Sequence, residues 1–158
     1  MDLRELQQSY LEETRRVTAE RLLPGALIRA VISADEGLVF KDGRTCKPKL
    51  IVIVGVDLVN EICYGSVLVN TNMSPKSSFS PQYLEVQYLL RQEDYPDFLK
   101  YDSFVDCGML FSIPFGKLAS GEYFGVLTKS DFDGIFDILE TTDVLTTKEK
   151  KRYGIRRR

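Results

Sequence analysis

The fold of this chain is decided by the stretch LIVIVGVDLV at residues 50–59. It is dense in β-branched residues, which pack well on a pleated surface. It alternates too little between apolar and polar residues to have one face in solvent, which is typical of a strand in the middle of a sheet. We therefore predict a central β-strand here, around which the other elements are arranged.

Shorter strand patterns lie on both sides of this central strand, separated by Gly, Pro, Asn and Asp turn signals. The predicted strands cover residues 26–33, 63–70, 83–90, 103–107 and 121–128. Residues 34–47 are interpreted as a long hairpin or flap, 70–81 as a long polar loop, and 111–118 as a turn or single helical turn around Pro114. Because strands and helices do not alternate regularly, the sheet is expected to be antiparallel.

Helical periodicity is found near both ends of the chain. Residues 2–22 contain no Gly or Pro, and their apolar residues Leu3, Leu6, Tyr10 and Val17 fall near one helical face. We interpret this helix as packing on the sheet, with a dimer or partner contact as the alternative. A second helix is predicted from an N-cap at Ser130, and a short last helix from Thr146.

These elements predict an α+β, mainly β domain: a small curled antiparallel sheet or barrel with an N-terminal and a C-terminal helix. The predicted divisions are an N-terminal amphipathic helix at 1–22, a barrel domain at 23–145 and a basic tail at 146–158. A chain of 158 residues is long enough for one stable core.

The composition restricts where the protein acts. The longest apolar stretch, Leu50 to Val56, is too short to cross a membrane, and MDLRELQQSY lacks the apolar region of a signal peptide. We therefore expect a cytoplasmic protein with no membrane contact. The segment at 148–158 has a net charge of +6 within a total of −2, so it is either a solvated terminus or a phosphate-binding tail.

The residue types present exclude several kinds of chemistry. The chain has no His, so catalytic triads, Cys-His nucleophiles and His-ligated zinc are excluded. Its three Cys, at 46, 63 and 107, are widely spaced, which favours buried thiols over disulfides or a metal site. There is no dinucleotide or P-loop motif, so no cofactor is expected.

Cleavage of RNA is compatible with the residues that remain. The neighbouring 2′-OH is an internal nucleophile, so the protein needs only to position it, help remove its proton and neutralise charge on phosphorus. Arg, Lys, hydroxyls and carboxylates can do this without a metal.

The order of several short motifs resembles the PemK/MazF-like toxin family. LPGALIR at 23–29 is similar to the family's opening Pro-Gly strand, and Lys47-Pro48 before LIVIVG is similar to its Arg-Pro pair. VLVNTN at 67–72 stands where the family has a strand ending in Thr-Ser. SFVDCGMLFSI at 103–113, FGVLT at 124–128 and the helix from Ser130 resemble the family's distal half.

The resemblance implies an SH3-like barrel that dimerises and cuts single-stranded RNA without a metal as a toxin-type endoribonuclease, neutralised by an antitoxin protein. It implies a catalytic role for Lys47, at the position of the family's Arg, and for Thr71. Arg44 could supply a guanidinium in place of the missing Arg. Asn70, Asn72 and the tail residues Lys150, Lys151 and Arg152 are the candidate RNA-binding residues.

Each of these interpretations has an alternative. Lys47 and Arg44 could be solvated turn charges, and Thr71 with its two Asn neighbours could simply close a strand. Asp102 and Asp106 are candidate bases, although Asp106 is expected to be exposed on a strand. Because Lys47 replaces an Arg, the alternative function is a catalytically inactive barrel that binds a protein or nucleic acid.

Overall fold

The computed structural model describes residues 2–33, 46–70 and 85–155. Seven β-strands in these ranges form one antiparallel sheet. The strands are β1 (Ala26–Ser33), β2 (Cys46–Asp57), β3 (Ile62–Asn70), β4 (Gln87–Leu90), β5 (Ser103–Asp106), β6 (Phe111–Pro114) and β7 (Glu122–Val126). The helices in these ranges are α1 (Leu3–Thr14), α2 (Phe115–Ala119), α3 (Lys129–Thr141) and α4 (Thr147–Arg152).

The strands lie in the order β4-β5-β3-β2-β1-β7, and β6 pairs with the first half of β3. This confirms the predicted antiparallel sheet with helices at both ends. The described strands do not close into a barrel, because β4 and β7 end the path without pairing with each other. The outer edge of β7 instead pairs with the chain after α1, where the Tyr123 N–H donates to the Arg15 carbonyl across 2.7 Å.

The sheet has an apolar core on each face. Side chains alternate along β1 and β2, so that Leu27 and Val52 join one core and Ile28 and Ile51 the other. The first core includes residues of α3, and we call this side of the sheet the α3 face. The second includes Leu118 of α2, and we call this side the α2 face. The central strand is thus buried on both faces, as its sequence predicts.

α1 is a surface helix. Asp2 and Glu5 form a capping box at its start, and none of its residues is buried. Its apolar residues are more than half exposed: Leu3 70%, Leu6 52%, Tyr10 69% and Leu11 51%. The interpretation of this helix as packing on the sheet is therefore wrong.

We expected the predicted helix at 2–22 to pack on the sheet, and the chain after α1 makes these core contacts instead. The Arg21 guanidinium donates to the carbonyl oxygens of Thr14 and Arg16, at 2.7 and 2.9 Å, so the helix ends there and not at residue 22. Val17 and Leu22 then enter the core on the α2 face. A 3-10 turn at Ala19–Arg21 separates them.

α3 covers the opposite face of the sheet. Its N-cap is Thr128 rather than Ser130, since the Thr128 hydroxyl accepts from the Asp131 N–H. Ile135 and Leu139 are fully buried, which confirms the predicted apolar face of this helix. Gly134 lets α3 approach β4 closely, because a Cβ there would lie 2.8 Å from Cζ of Tyr88.

The segment around Pro114 forms a strand as well as a helical turn. Phe111–Pro114 pairs with β3 as β6, and α2 begins directly after it. Pro114 is the last strand residue and the N-cap of α2, so its missing N–H interrupts neither element. The prediction of a turn alone missed this strand. No helix in the described ranges is long and apolar enough to cross a membrane.

Candidate nucleic-acid interface

Four neighbouring strands end at one edge of the sheet. β1 ends at Ser33, β2 begins near Lys47, β3 ends at Asn70 and β5 begins at Ser103. The pairing Asn70↔Ser103 joins two of these ends directly, and Ile32↔Lys47 joins the other two. Adjacent strands are about 5 Å apart, so the four ends span roughly 15 Å. We call this place the strand-end site.

Lysines line the strand-end site. Lys47 and Lys49 are half-buried and alternate residues of β2, so both belong to the α2 face, about 7 Å apart. Lys117 of α2 reaches the same edge, because its Nζ donates to Ser33 Oγ across 3.0 Å. The sheet thus brings two lysines from β2 and one from α2 to the edge where Lys47 was predicted to act.

A carboxylate precedes β5 at the same edge. Asp102 is the residue before Ser103, and one of its oxygens accepts the backbone N–H of Gln92 across 2.8 Å. This hydrogen bond fixes the carboxylate on a 3-10 turn, Gln92–Asp94. Since β5 lies two strands from β2, about 10 Å separate the strand ends that carry Asp102 and Lys47.

Three of the predicted site residues, Arg44, Thr71 and Asn72, lie outside the described residues. Asn70 is described as the last residue of β3, paired with Ser103. The structure therefore places Lys47 and Asn70 at one edge.

The candidate RNA-binding residues of the tail, Lys150, Lys151 and Arg152, belong to α4. Tyr153, directly after α4, packs on Tyr64 with ring centroids 5.0 Å apart, and Tyr64 pairs with Gly55 near the far end of β2. Gly55 is eight residues from Lys47, or about 26 Å along the strand. α4 and the strand-end site are therefore far apart.

Lys150 also has a structural contact. Its Nζ donates to the carbonyl oxygen of Glu140 across 2.8 Å, near the end of α3. A cation at this position is favourable for the helix dipole. The sequence predicted a solvated or phosphate-binding tail, and this part of it instead joins α4 to α3.

The two cysteines whose side chains are described are inert. Burial raises the pKa of the Cys63 thiol to about 12 and that of Cys107, together with the Asp106 charge, to about 12. A thiol in this state is not a nucleophile near neutral pH. No cluster of His, Cys, Asp and Glu suited to a metal ion is found in the described ranges.

Asp106 is less exposed to solvent than the sequence predicts. It is half-buried and accepts from the Gln87 amide at 3.1 Å and from the Gly108 N–H at 3.0 Å. Burial raises the pKa of this carboxyl, although both hydrogen bonds oppose the shift. It lies at the end of β5 away from Ser103, so it cannot act at the strand-end site.

Two tyrosines that precede β5 lie in different environments. Tyr95 is buried and donates its hydroxyl hydrogen to Asp131, so it belongs to the core. Tyr101 is 51% exposed and lies one residue before Asp102, at the strand-end site. Tyr101 is thus an exposed aromatic residue at this edge that a nucleobase could stack on.

Sequence reasoning missed a group of arginines on the aromatic residues of β7. Arg15 and Arg29 both lie over the Phe124 ring, and Arg21 lies over Tyr123 with its guanidinium carbon 4.5 Å from the centroid. Arg15 and Arg21 lie in the connection between α1 and β1, and Arg29 lies in β1. No local sequence motif predicts these contacts, because they form only when β1 and the chain after α1 pair with β7.

An open groove of about 740 Å³ lies between α3 and the hairpin end of β2. Its apolar walls include Val54, Phe132 and Tyr153, and three carboxylates of α3 are at its rim: Asp133, Asp137 and Glu140. The negative rim makes this groove unsuited to RNA.

Searches against protein-family models and against curated proteins found no match to this chain.

Proposed function

We propose that this protein is a PemK/MazF-like, metal-independent endoribonuclease that cuts single-stranded RNA at the strand-end site. The observation that supports it best is the meeting of Lys47, Lys49 and Asp102 at one edge of the sheet. This edge is also where the chain leaves the described strands toward Arg44 and toward Thr71.

In this proposal the phosphate lies between the lysines and Asp102. Lys47 neutralises the negative charge that grows on the phosphate oxygens during attack. Asp102 accepts the proton of the 2′-OH, whose oxygen then forms a bond to phosphorus while the bond to the 5′-oxygen breaks. The products are a 2′,3′-cyclic phosphate and a 5′-hydroxyl, and the leaving oxygen takes a proton from Lys47 or water.

The other predicted residues have supporting roles in the proposal. Arg44 adds a guanidinium to the phosphate, Thr71 positions it, and Asn70 and Asn72 hold the neighbouring nucleotides. A homodimer and an antitoxin partner, which the resemblance implies, stay predictions.

The activity is tested with a single-stranded RNA and its fully 2′-O-methylated version in EDTA. The proposal predicts fragments ending in a 2′,3′-cyclic phosphate from the RNA and none from the methylated strand, which has no free nucleophile. Intact RNA with a correctly folded protein would contradict cleavage, and cleavage that EDTA abolishes would contradict the metal-independent mechanism.

A second candidate is a catalytically inactive protein that binds RNA at the same edge. Two observations favour it: Lys47 lacks the planar guanidinium of an Arg, and one oxygen of Asp102 already holds the Gln92 N–H. In this case both oligonucleotides stay intact, and both bind with affinities that Lys47→Ala lowers.

A further inference from the structure

We propose that the open groove between α3 and the hairpin end of β2 binds a basic amphipathic helix of a partner protein. The groove has a volume of about 740 Å³, an apolar floor and an acidic rim. This contact does not depend on the proposed cleavage, because Lys47 and Gly55, which lines the groove, lie near opposite ends of β2.

The floor of the groove is apolar and is held in place by close contacts. Phe132 and Phe136 of α3 lie against each other, with ring centroids 5.8 Å apart. On the other side, Tyr153 packs on Tyr64, and a Cβ on Gly55 would lie only 2.8 Å from the Tyr153 carbonyl oxygen. The walls are therefore set before a ligand binds, which reduces the entropy that docking loses.

The apolar surface continues out of the groove toward the end of β7. Pro24 lines the groove, and a Cβ on the next residue, Gly25, would lie 3.2 Å from Cγ1 of Val126 and 3.6 Å from Cδ2 of Phe132. Val126 and Leu23 are each 55% exposed. Exposed apolar surface beside a polar rim is typical of a site that contacts another protein.

The rim carries three carboxylates of α3. Asp133, Asp137 and Glu140 are spaced four and three residues apart, so they span about 10 Å along the helix. Within the described ranges, Asp133 alone of the three has a cationic partner, Lys129 at 2.8 Å, and the two side chains are 55% and 90% exposed. Such an exposed pair is weak, and the rim keeps a net negative charge.

The stability of α3 does not explain Glu140. A negative charge in the last turn of a helix opposes the helix dipole, and α3 has no basic residue in that turn. The Lys150 Nζ donates to the Glu140 carbonyl oxygen across 2.8 Å, not to its carboxylate. The carboxylate therefore weakens the helix that carries it, which favours a role in binding over a role in folding.

The spacing of the carboxylates indicates the shape of the partner. Residues at i, i+4 and i+7 lie on one face of a helix, so a second helix along α3 can present Arg or Lys at the same spacing. An apolar stripe beside those cations then enters the groove. A small cation would leave the apolar floor uncovered, and the rim repels RNA.

The test is the affinity of a fluorescent synthetic peptide of about 15 residues, which is long enough to form a helix. It has Leu along one face and Arg at i, i+4 and i+7 beside that face. In one control peptide Glu replaces Arg, and in the other Ser replaces Leu. We expect each control to bind at least about tenfold more weakly, because it lacks the charge or the apolar stripe that the groove recognises.

Two matched variants of the protein locate the binding site. Asp137→Lys should weaken binding of the Arg peptide about tenfold, because it places a like charge on the rim. Asp143→Lys is the control, since Asp143 is equally exposed and lines a different cavity. The Glu peptide should bind Asp137→Lys more tightly than it binds the wild type.

The proposal is contradicted if the Arg peptide does not bind the folded wild type, or if it binds Asp137→Lys and Asp143→Lys equally. It is also contradicted if binding appears only in a variant that combines Arg156→Gln, Arg157→Gln and Arg158→Gln, since the chain's own end would then be the ligand. Failure of RNA cleavage leaves all of these results unaffected.

Discussion

Tyr95 donates its hydroxyl hydrogen to Oδ2 of Asp131 across 2.5 Å. Tyr88 donates to the other oxygen of the same carboxylate across 2.8 Å. Since Asp131 is in the first turn of α3, one side chain ties β4 and the loop after it to the helix that covers the sheet. Hydrogen bonds to a charged acceptor are stronger than neutral ones, which makes this contact a main attachment of α3.

Asp131→Ala should lower the free energy of unfolding by about 2 to 3 kcal/mol, because two tyrosine hydroxyls lose a charged acceptor. Equilibrium unfolding in urea measures the change. Asp133→Ala is the control: its exposed pair with Lys129, at 2.8 Å, should contribute less than about 1 kcal/mol. Equal losses in the two variants would contradict a special role for Asp131.

The stability of the protein should fall in strong alkali through Tyr88. Burial, and then the hydrogen bond to Asp131 and its charge, raise the pKa of Tyr88 from 10.0 to about 12. A group whose pKa is higher in the folded state than in the unfolded state stabilises the folded protein fully at pH values below its unfolded-state pKa. This stabilisation is lost as the pH rises through its folded-state pKa. We expect Tyr88→Phe to reduce the decline in unfolding free energy between about pH 10 and pH 12. Parallel curves for the variant and wild type would contradict this.

Much of this fold could be predicted from local pattern. The run LIVIVG marks a central strand because it is apolar on both sides, and the structure buries Val52 and Ile53 on opposite faces. The missed features depend on tertiary contacts. β6 looks like a turn until β3 pairs with it, and the helix predicted at 2–22 ends where Arg21 bonds the Thr14 carbonyl.

The two described thiols should be unreactive in the native protein. Burial raises the pKa of both Cys63 and Cys107 to about 12, so the thiolate is scarce near pH 8. In a Cys46→Ser variant, Ellman's reagent should label almost no thiol in buffer and two thiols in guanidinium. Rapid labelling of the folded variant would show that these side chains are accessible.

α1 should open independently of the rest of the protein. A helix of 12 residues is marginal in water, and none of its residues is buried. Hydrogen exchange should therefore be fast in α1 and slow in α3, which has 13 residues but buries Ile135 and Leu139. Protection of α1 equal to that of α3 would mean that a partner or a second copy covers its apolar face.

The candidate site was only partly accessible to sequence reasoning. The position of Lys47 before Pro48 and a core strand predicts a site at this end of the sheet, and the structure places Lys49 of β2 and Lys117 of α2 at the same end. The arginines on Phe124 were not predictable, since Arg15 and Arg29 are separated along the chain and meet only through β7. Only their positive charge suggests that Lys150, Lys151 and Arg152 act together with Lys47, and the structure separates the two places by about the length of β2.

The most direct test of the account is the rate at which a labelled single-stranded RNA is cut in EDTA. The proteins compared are the wild type and the variants Lys47→Ala, Lys47→Arg and Lys148→Ala. Lys148→Ala is the control, because it changes an exposed lysine of α4. The account predicts a loss of about 100-fold or more for Lys47→Ala, near wild-type or higher rates for Lys47→Arg, and no change for Lys148→Ala. Equal rates for Lys47→Ala and Lys148→Ala would contradict cleavage at the strand-end site.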